Sequence, residues 1–139
     1  MPSISIRAVI LASLAVLGVD IMSSLLLTQV FGGPGFDSGL SEEQIRAAYQ
    51  VLLQDVRYLT LGLVLGTAST VLGGYLAARL AGSVPYFNAL AFGVLGLLIS
   101  SIGSGDLPTW FKVVGLLLTL PAAVLGGHLA KLQMSKQPL

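Results

Sequence analysis

The chain has 139 residues, of which 55% are hydrophobic and 9% charged, with a net charge of +1 and no cysteine. Soluble domains carry about 25% charged residues, so this composition excludes a soluble fold and indicates one domain whose surface is covered by lipid. The lack of cysteine excludes disulfides, thiolate metal sites and thiol catalysis, and no basic cluster indicates nucleic acid. We therefore predict a lipid bilayer as the main partner and no cofactor.

Four apolar stretches are long enough to cross a hydrocarbon core of about 30 Å, which takes about 20 helical residues. They cover residues 6–31, 58–81, 85–103 and 108–132. The first is too long for a signal peptide and lacks a small-x-small cleavage pattern, so we expect it to be retained. Short connections follow the second and third stretches, so consecutive helices should be antiparallel neighbours. The sequence thus predicts an all-α integral membrane protein, a bundle of four transmembrane helices.

A polar loop over residues 32–57 joins the first two predicted spans. A capping box, which predicts a helix start, is formed by the run Ser41, Glu42, Glu43 and Gln44. Apolar residues then recur at helical spacing, so a short amphipathic helix should lie on the membrane surface or run directly into the second span. The acids Asp37, Glu42 and Glu43 offer ligands for a divalent cation, but solvated, helix-capping acids are the interpretation we favour.

The basic residues bear on orientation, because cytoplasmic helix ends carry an excess of Lys and Arg. With the N-terminus inside, four basic residues lie on the cytoplasmic side: Arg7, Arg79, Lys131 and Lys136. Three lie outside: Arg46, Arg57 and Lys112. The bias favours cytoplasmic termini and a periplasmic or extracellular loop over residues 32–57. We expect the protein in the inner (plasma) membrane of a bacterium.

An internal repeat aligns residues 61–77 without gaps to residues 114–130, at an offset of 53 with nine identities in seventeen positions. A weaker match at an offset of 78 pairs parts of the first and third spans, although biased composition alone can produce it. Together the two matches predict a duplicated helical hairpin whose copies are related by an axis along the membrane normal.

Glycines inside the predicted spans need a reason, and close approach of two helices is the usual one. The predicted helix-packing set is Gly62, Gly66, Gly73, Gly74, Gly115, Gly126 and Gly127. Within it, Gly62 and Gly66 form a GxxxG motif. These faces pack either inside one bundle or, for at least one of them, against another subunit. A homo-oligomer or a place in a larger membrane complex is therefore expected.

Asp20 stands out because an acid near the middle of a bilayer costs about 2.5 to 3.5 kcal/mol on insertion scales. Counting at about 1.5 Å per residue puts it close to the midplane, at the depth of hydroxyl residues on the other spans. The predicted intramembrane polar site is Asp20, Ser24, Ser69, Thr70, Ser101 and Thr119. Asp20 is then interhelical glue satisfied by hydroxyls or by Arg57 as an ion-pair partner, or a proton- or cation-coupling group, or a contact for a partner's membrane helix.

Catalytic and metal signatures are lacking in the sequence. No GxSxG motif occurs, and the single histidine, His128, has no further metal ligands near it in the pattern. We interpret His128 as an interfacial residue close to Lys131. The chain is therefore predicted not to be an enzyme and to bind no metal.

The segment GGYLAARLAG over residues 73–82 resembles one that is common in small bacterial four-span membrane proteins of unassigned function. Asp20 in the first of four spans is also similar to the first-helix carboxylate that small multidrug resistance exporters use in a dimer. This chain departs from that family in having Asp rather than Glu, a long first loop and no aromatic cluster in the third span. The exporter resemblance implies transport.

Our leading hypothesis is a non-enzymatic structural, assembly or accessory subunit that acts through its glycine-rich helix faces. The alternative is a small oligomeric proton-coupled transporter or channel with Asp20 as the coupling site.

Overall fold

The computed structural model describes residues 3–35, 38–103 and 105–136, and within them the regular secondary structure is entirely helical. The helices are α1 (Ile6–Val30), α2 (Glu42–Leu52), α3 (Val56–Ala81), α4 (Pro85–Gly103) and α5 (Thr109–Ser135). All except α2 are long and apolar enough to cross a membrane. The all-α prediction and the four spans are confirmed, with small shifts at the helix ends. Asp37, one of the acids considered for a cation, lies outside the described residues.

The short helix α2 begins where the capping box predicts it. The Ser41 hydroxyl accepts the backbone N–H of Gln44 at 3.3 Å, and the Gln44 side chain accepts the backbone N–H of Ser41 at 2.9 Å. α2 does not continue into α3, because Asp55 caps a new helix by accepting the backbone N–H of Arg57 at 2.8 Å. Of the two arrangements considered for this segment, the structure has a separate helix.

The bundle is built around α3 and α4, which pack against each other and against both remaining long helices. α1 packs on α3 and, over a shorter stretch, on α4, whereas the described parts of α1 and α5 make almost no contact with each other. Gly82 ends α3 with a positive φ of 65°, so that the chain reverses into α4 within three residues. Consecutive long helices therefore run in opposite directions, and α3 and α5 run parallel.

The two copies of the repeat, α3 and α5, form the closest helix pair. A Cβ atom added to Gly74 would collide with the carbonyl oxygen of Ala123, and one added to Gly126 would collide with the carbonyl oxygen of Val71. At the opposite end of the pair, a Cβ on Gly115 would be in ordinary contact with Leu63, 3.8 Å from its Cδ1 atom. This parallel pairing of equivalent segments fits a duplicated hairpin. α1 breaks the symmetry, since it does not cover α5 as α4 covers α3.

Most of the core lies in the half of the bundle that holds the start of α1 and the end of α5. We call residues 3–17, 71–95 and 120–136 the terminal half, and the described residues of 18–70 and 96–119 the loop half. The buried residues of the terminal half are Ala8, Val9, Ala12, Val16, Gly73, Gly74, Ala77, Ala78, Asn88, Ala89, Phe92, Gly93, Ala122, Ala123, Gly126, Gly127 and Ala130. Those of the loop half are Thr28, Leu52, Leu59 and Ser69. The helices are thus closely packed in the terminal half and splayed apart in the loop half.

Candidate functional site

Asp20 lies on α1 where the loop half meets the terminal half, beside the buried Ser69 of α3. The Ser69 hydroxyl donates to the Asp20 carboxylate at 2.5 Å, and Ser69 is only 5% exposed. The same hydroxyl lies 2.9 Å from the carbonyl oxygen of Gly66, which also accepts the Thr70 hydroxyl at 2.7 Å. A hydroxyl carries one proton, so Ser69 donates either to Asp20 or to Gly66. When Asp20 is protonated, it can donate to Ser69, which then turns its proton to Gly66.

Two cavities meet at Asp20. The larger, of about 590 Å³, lies between α3 and the loop-half parts of α4 and α5. The smaller, of about 260 Å³, lies between α1 and α3. Both are lined by Asp20, Gly62, Gly66, Leu107 and Phe111. The splayed loop half therefore contains two neighbouring, half-open cavities, and the Asp20 carboxyl group lies where they meet.

The structure brings all of the predicted polar-site residues around this space. Asp20, Thr70, Ser101 and Thr119 line the larger cavity, Ser24 lines the smaller one, and Ser69 is bonded to Asp20. This agreement follows from depth, because counting at about 1.5 Å per helical residue needs no knowledge of which helices touch. What the residues do together stays a prediction.

Oxygen acceptors dominate the polar lining of the larger cavity. The hydroxyls of Thr70, Ser101 and Thr119 each donate at 2.7 Å to the backbone carbonyl four residues earlier on their own helix. A hydroxyl whose proton is used in this way still offers lone pairs, so the threonines present acceptors to the cavity. Lys112 is the one cation among the described lining residues, and its ammonium group donates to the carbonyl oxygen of Gly105 at 3.1 Å. This chemistry suits an occupant that supplies hydrogen-bond donors or positive charge.

Arg57, predicted as an ionic partner of Asp20, pairs with Asp55 instead. Its guanidinium lies 3.1 Å from an Asp55 carboxylate oxygen, the only salt bridge in the described part of the chain. Arg57 stands in the first turn of α3, about 18 Å along the helix from Ser69 at the usual rise per residue, so it is too far from Asp20. Its hydrogen bonds hold the pKa of Asp55 below the usual value.

The predicted helix-packing glycines fall into two groups. Gly73, Gly74, Gly126 and Gly127 are buried, and an added Cβ would overlap Phe92, Ala123, Val71 and Ala89 in turn. Gly62, Gly66 and Gly115 instead line the larger cavity. A Cβ built on Gly66 would meet no neighbouring part of the described bundle within 4 Å, whereas one built on Gly62 would be in ordinary contact with a Leu27 methyl carbon of α1 at 3.7 Å. Gly62 therefore faces α1 inside the bundle, and only Gly66 of the GxxxG motif has open space beside it.

Sequence reasoning missed Asn88, which fastens the terminal half. It is fully buried on α4, its side-chain oxygen accepts the backbone N–H of Ser5 at 2.8 Å, and its amide donates to the carbonyl oxygen of Ser83 at 2.9 Å. Asn88 thereby ties the start of α1 to the turn between α3 and α4. The available signal was that the only asparagine of the chain stands within an apolar span, where an amide needs partners.

Comparisons of this chain with protein-family models, with curated proteins and with solved structures find no match.

Proposed function

We propose that this protein is a non-enzymatic multi-pass membrane protein that acts as an assembly or accessory subunit, receiving one transmembrane helix of a partner protein in its splayed loop half. The observation that carries this proposal is the open space beside Gly66, the second glycine of the GxxxG motif, which lines the same two cavities as Asp20.

The first argument concerns the glycines. Glycine in a helix interior costs about 1 kcal/mol relative to alanine, so natural sequences place it where a backbone must approach closely. Gly74 and Gly126 have this use inside the bundle, but Gly66 has no near neighbour among the described residues. A helix from outside the chain, with small residues on its own face, would give Gly66 the same use.

The second argument concerns charge and identifies the kind of partner. Asp20 has one hydrogen-bond partner of its own, Ser69, and otherwise faces the cavities. The basic residues within or beside the long helices stand near helix ends: Arg7, Arg57, Arg79, Lys112 and Lys131. A second copy of this chain therefore offers no basic group at the depth of Asp20. We infer a different protein, whose membrane helix carries a basic side chain in mid-span.

The test is to isolate the tagged protein from its native membranes in a mild detergent and to identify what accompanies it. A second membrane protein with a basic residue in mid-span is expected. Gly66→Leu should fill the open face and release that protein, whereas Gly96→Leu should retain it, since Gly96 has equally open surroundings but lines neither cavity. Recovery of only a homodimer, or equal loss with both variants, would contradict the proposal.

The second candidate is a small oligomeric proton-coupled transporter or channel. The observation that favours it is that the Ser69 hydroxyl has two acceptors within reach, the Asp20 carboxylate and the Gly66 carbonyl. Ser69 can donate to the carboxylate or to the Gly66 carbonyl, so protonation of Asp20 changes the hydrogen bonds of α3 without moving a helix. In reconstituted vesicles with a trapped pH dye, the wild type should then carry proton flux. Asp20→Asn should abolish it while leaving assembly intact. Unchanged flux in this variant would exclude the coupling role.

The proposed location is the bacterial inner membrane, with both termini cytoplasmic and the loop over residues 32–57 outside. Basic residues support this orientation by four to three. Because the chain has no cysteine, a single cysteine introduced at the exposed Ser38 reports on the loop without interference. An impermeant thiol reagent should label it in intact cells. Labelling only after lysis would reverse the orientation.

A further inference from the structure

A polar cluster at the membrane-surface end of the terminal half lies far from Asp20 and has no part in the proposed function. It joins the start of α4 to the last turns of α5. The Tyr86 hydroxyl and the Nδ1 atom of His128 are 2.7 Å apart, and the two rings stack with centroids 6.1 Å apart. The Lys131 ammonium lies over the same Tyr86 ring, 5.1 Å from its centroid.

This geometry directs several donors to one place. When the Tyr86 hydroxyl donates to Nδ1, the neutral His128 ring carries its proton on Nε2, which is then free to donate outward. Lys131 stands three residues after His128, on the same face of α5, and an ammonium group offers three donors. All three side chains are at least partly exposed, so a ligand at the membrane surface can reach them.

Among the described residues, no carboxylate side chain lies at this end of the bundle. The described acids are Asp20 on α1 and, toward the loops, Glu42, Glu43, Asp55 and Asp106. The end that carries His128 and Lys131 also carries Arg7 and Lys136. A cluster of donors with surplus positive charge between two membrane helices calls for an anion, and lipid phosphate is the anion that the interface supplies.

We propose that Tyr86, His128 and Lys131 bind the phosphate of an anionic lipid headgroup, with the lipid chains running along the groove between α4 and α5. Lys131 supplies charge and His128 supplies a directed hydrogen bond. Tyr86 is a positioning residue, which orients the imidazole and carries the ammonium over its ring.

The experiment measures lipid bound to the purified protein by native mass spectrometry, after exchange from a mild detergent containing phosphatidylglycerol or phosphatidylcholine. We expect the wild type to retain phosphatidylglycerol in preference to phosphatidylcholine. Lys131→Gln should weaken this retention about fivefold, the effect expected for one basic contact at a membrane surface. His128→Ala, which removes the directed hydrogen bond, should weaken it as well. Tyr86→Phe should weaken it less, since the ring under Lys131 remains.

The control is Arg46→Gln, which removes one positive charge from exposed α2 at the other end of the bundle, lines neither cavity and should leave retention unchanged. Equal losses in Arg46→Gln and Lys131→Gln, or equal retention of the two lipids, would overturn the proposal. A competition arm with inorganic phosphate separates the sources: displacement only at high phosphate supports the lipid. Stabilisation by phosphate without lipid retention would overturn the lipid assignment in favour of a soluble phosphate. Circular dichroism checks that each variant is folded.

Discussion

The terminal half and the loop half contain the same kinds of residue and use them in opposite ways. In the terminal half, Gly74 and Gly126 let the backbones of α3 and α5 meet, and Asn88 closes the turn beside them. In the loop half, two turns earlier on the same helix, Gly66 meets open space, and the polar residue beside it is an acid that faces a cavity. One end of the bundle is therefore closely packed within this chain, and the other end leaves open the face that we propose a partner helix covers.

The largest difference in stability between the two halves should appear when one methyl group is added to a buried glycine, Gly74, and to an open one, Gly66. Gly74→Ala puts a Cβ against the Ala123 carbonyl, and the backbone of α5 cannot move aside as a side chain can. We expect it to cost at least the about 1–3 kcal/mol typical of overpacking. Gly66→Ala should be neutral or slightly stabilising, because alanine favours helix and the space is open. Reversible unfolding in mixed detergents measures both, and equal losses would mean that the halves do not differ.

The next effect compares the polar residues of the two halves. Asn88→Ala leaves the partly buried Ser5 N–H without its acceptor and the Ser83 carbonyl without its side-chain donor, and it should cost about 1–3 kcal/mol. The same unfolding assay measures this loss. A stable Asn88→Ala variant would show that the tie between α1 and the α3–α4 turn contributes little.

Substitution of Asp20, unlike that of Asn88, should change the stability of the protein little. Asp20→Asn retains an acceptor for Ser69, and Asp20→Leu lets Ser69 donate to the Gly66 carbonyl, which is already 2.9 Å away. Removing an acid from an apolar medium is favourable and offsets the lost hydrogen bond. The free energy of unfolding of each variant should therefore lie within about 1 kcal/mol of that of the wild type. Binding of the partner should nevertheless be lost. A severe loss of stability would make Asp20 interhelical glue.

The smallest effect is a pH dependence at the loop end. Arg57 lowers the pKa of Asp55 in the folded protein relative to the ordinary 3.8. The resulting stabilisation is therefore present above that ordinary value and is lost as the pH falls below it. Because both groups are solvent-screened, the change should be small. Asp55→Asn keeps a helix cap but should remove this dependence, which unfolding curves between about pH 5 and pH 2 would reveal.

These contrasts also mark what a sequence can predict. Spans and the Ser41 capping box follow from local patterns, and the polar site around Asp20 follows from depth alone. The division of the glycines does not, because it depends on where α4 leaves α3, which is a property of the packed bundle. The hydrogen bond from the Ser5 backbone N–H to the Asn88 side chain joins residues 83 positions apart, so no local pattern predicts it. Arg57 pairs with the helix cap Asp55, two residues before it, rather than with Asp20, and a count of depth along the helices does not predict that choice.

The central claim is that the open face around Gly66 holds a helix of another protein, and photo-crosslinking in living cells tests it most directly. A photoreactive amino acid at position 66 should give one discrete adduct with a different membrane protein, and the same residue at position 96 should give none. Adducts at position 66 with a second copy of this chain alone, or with lipid alone, would contradict the account.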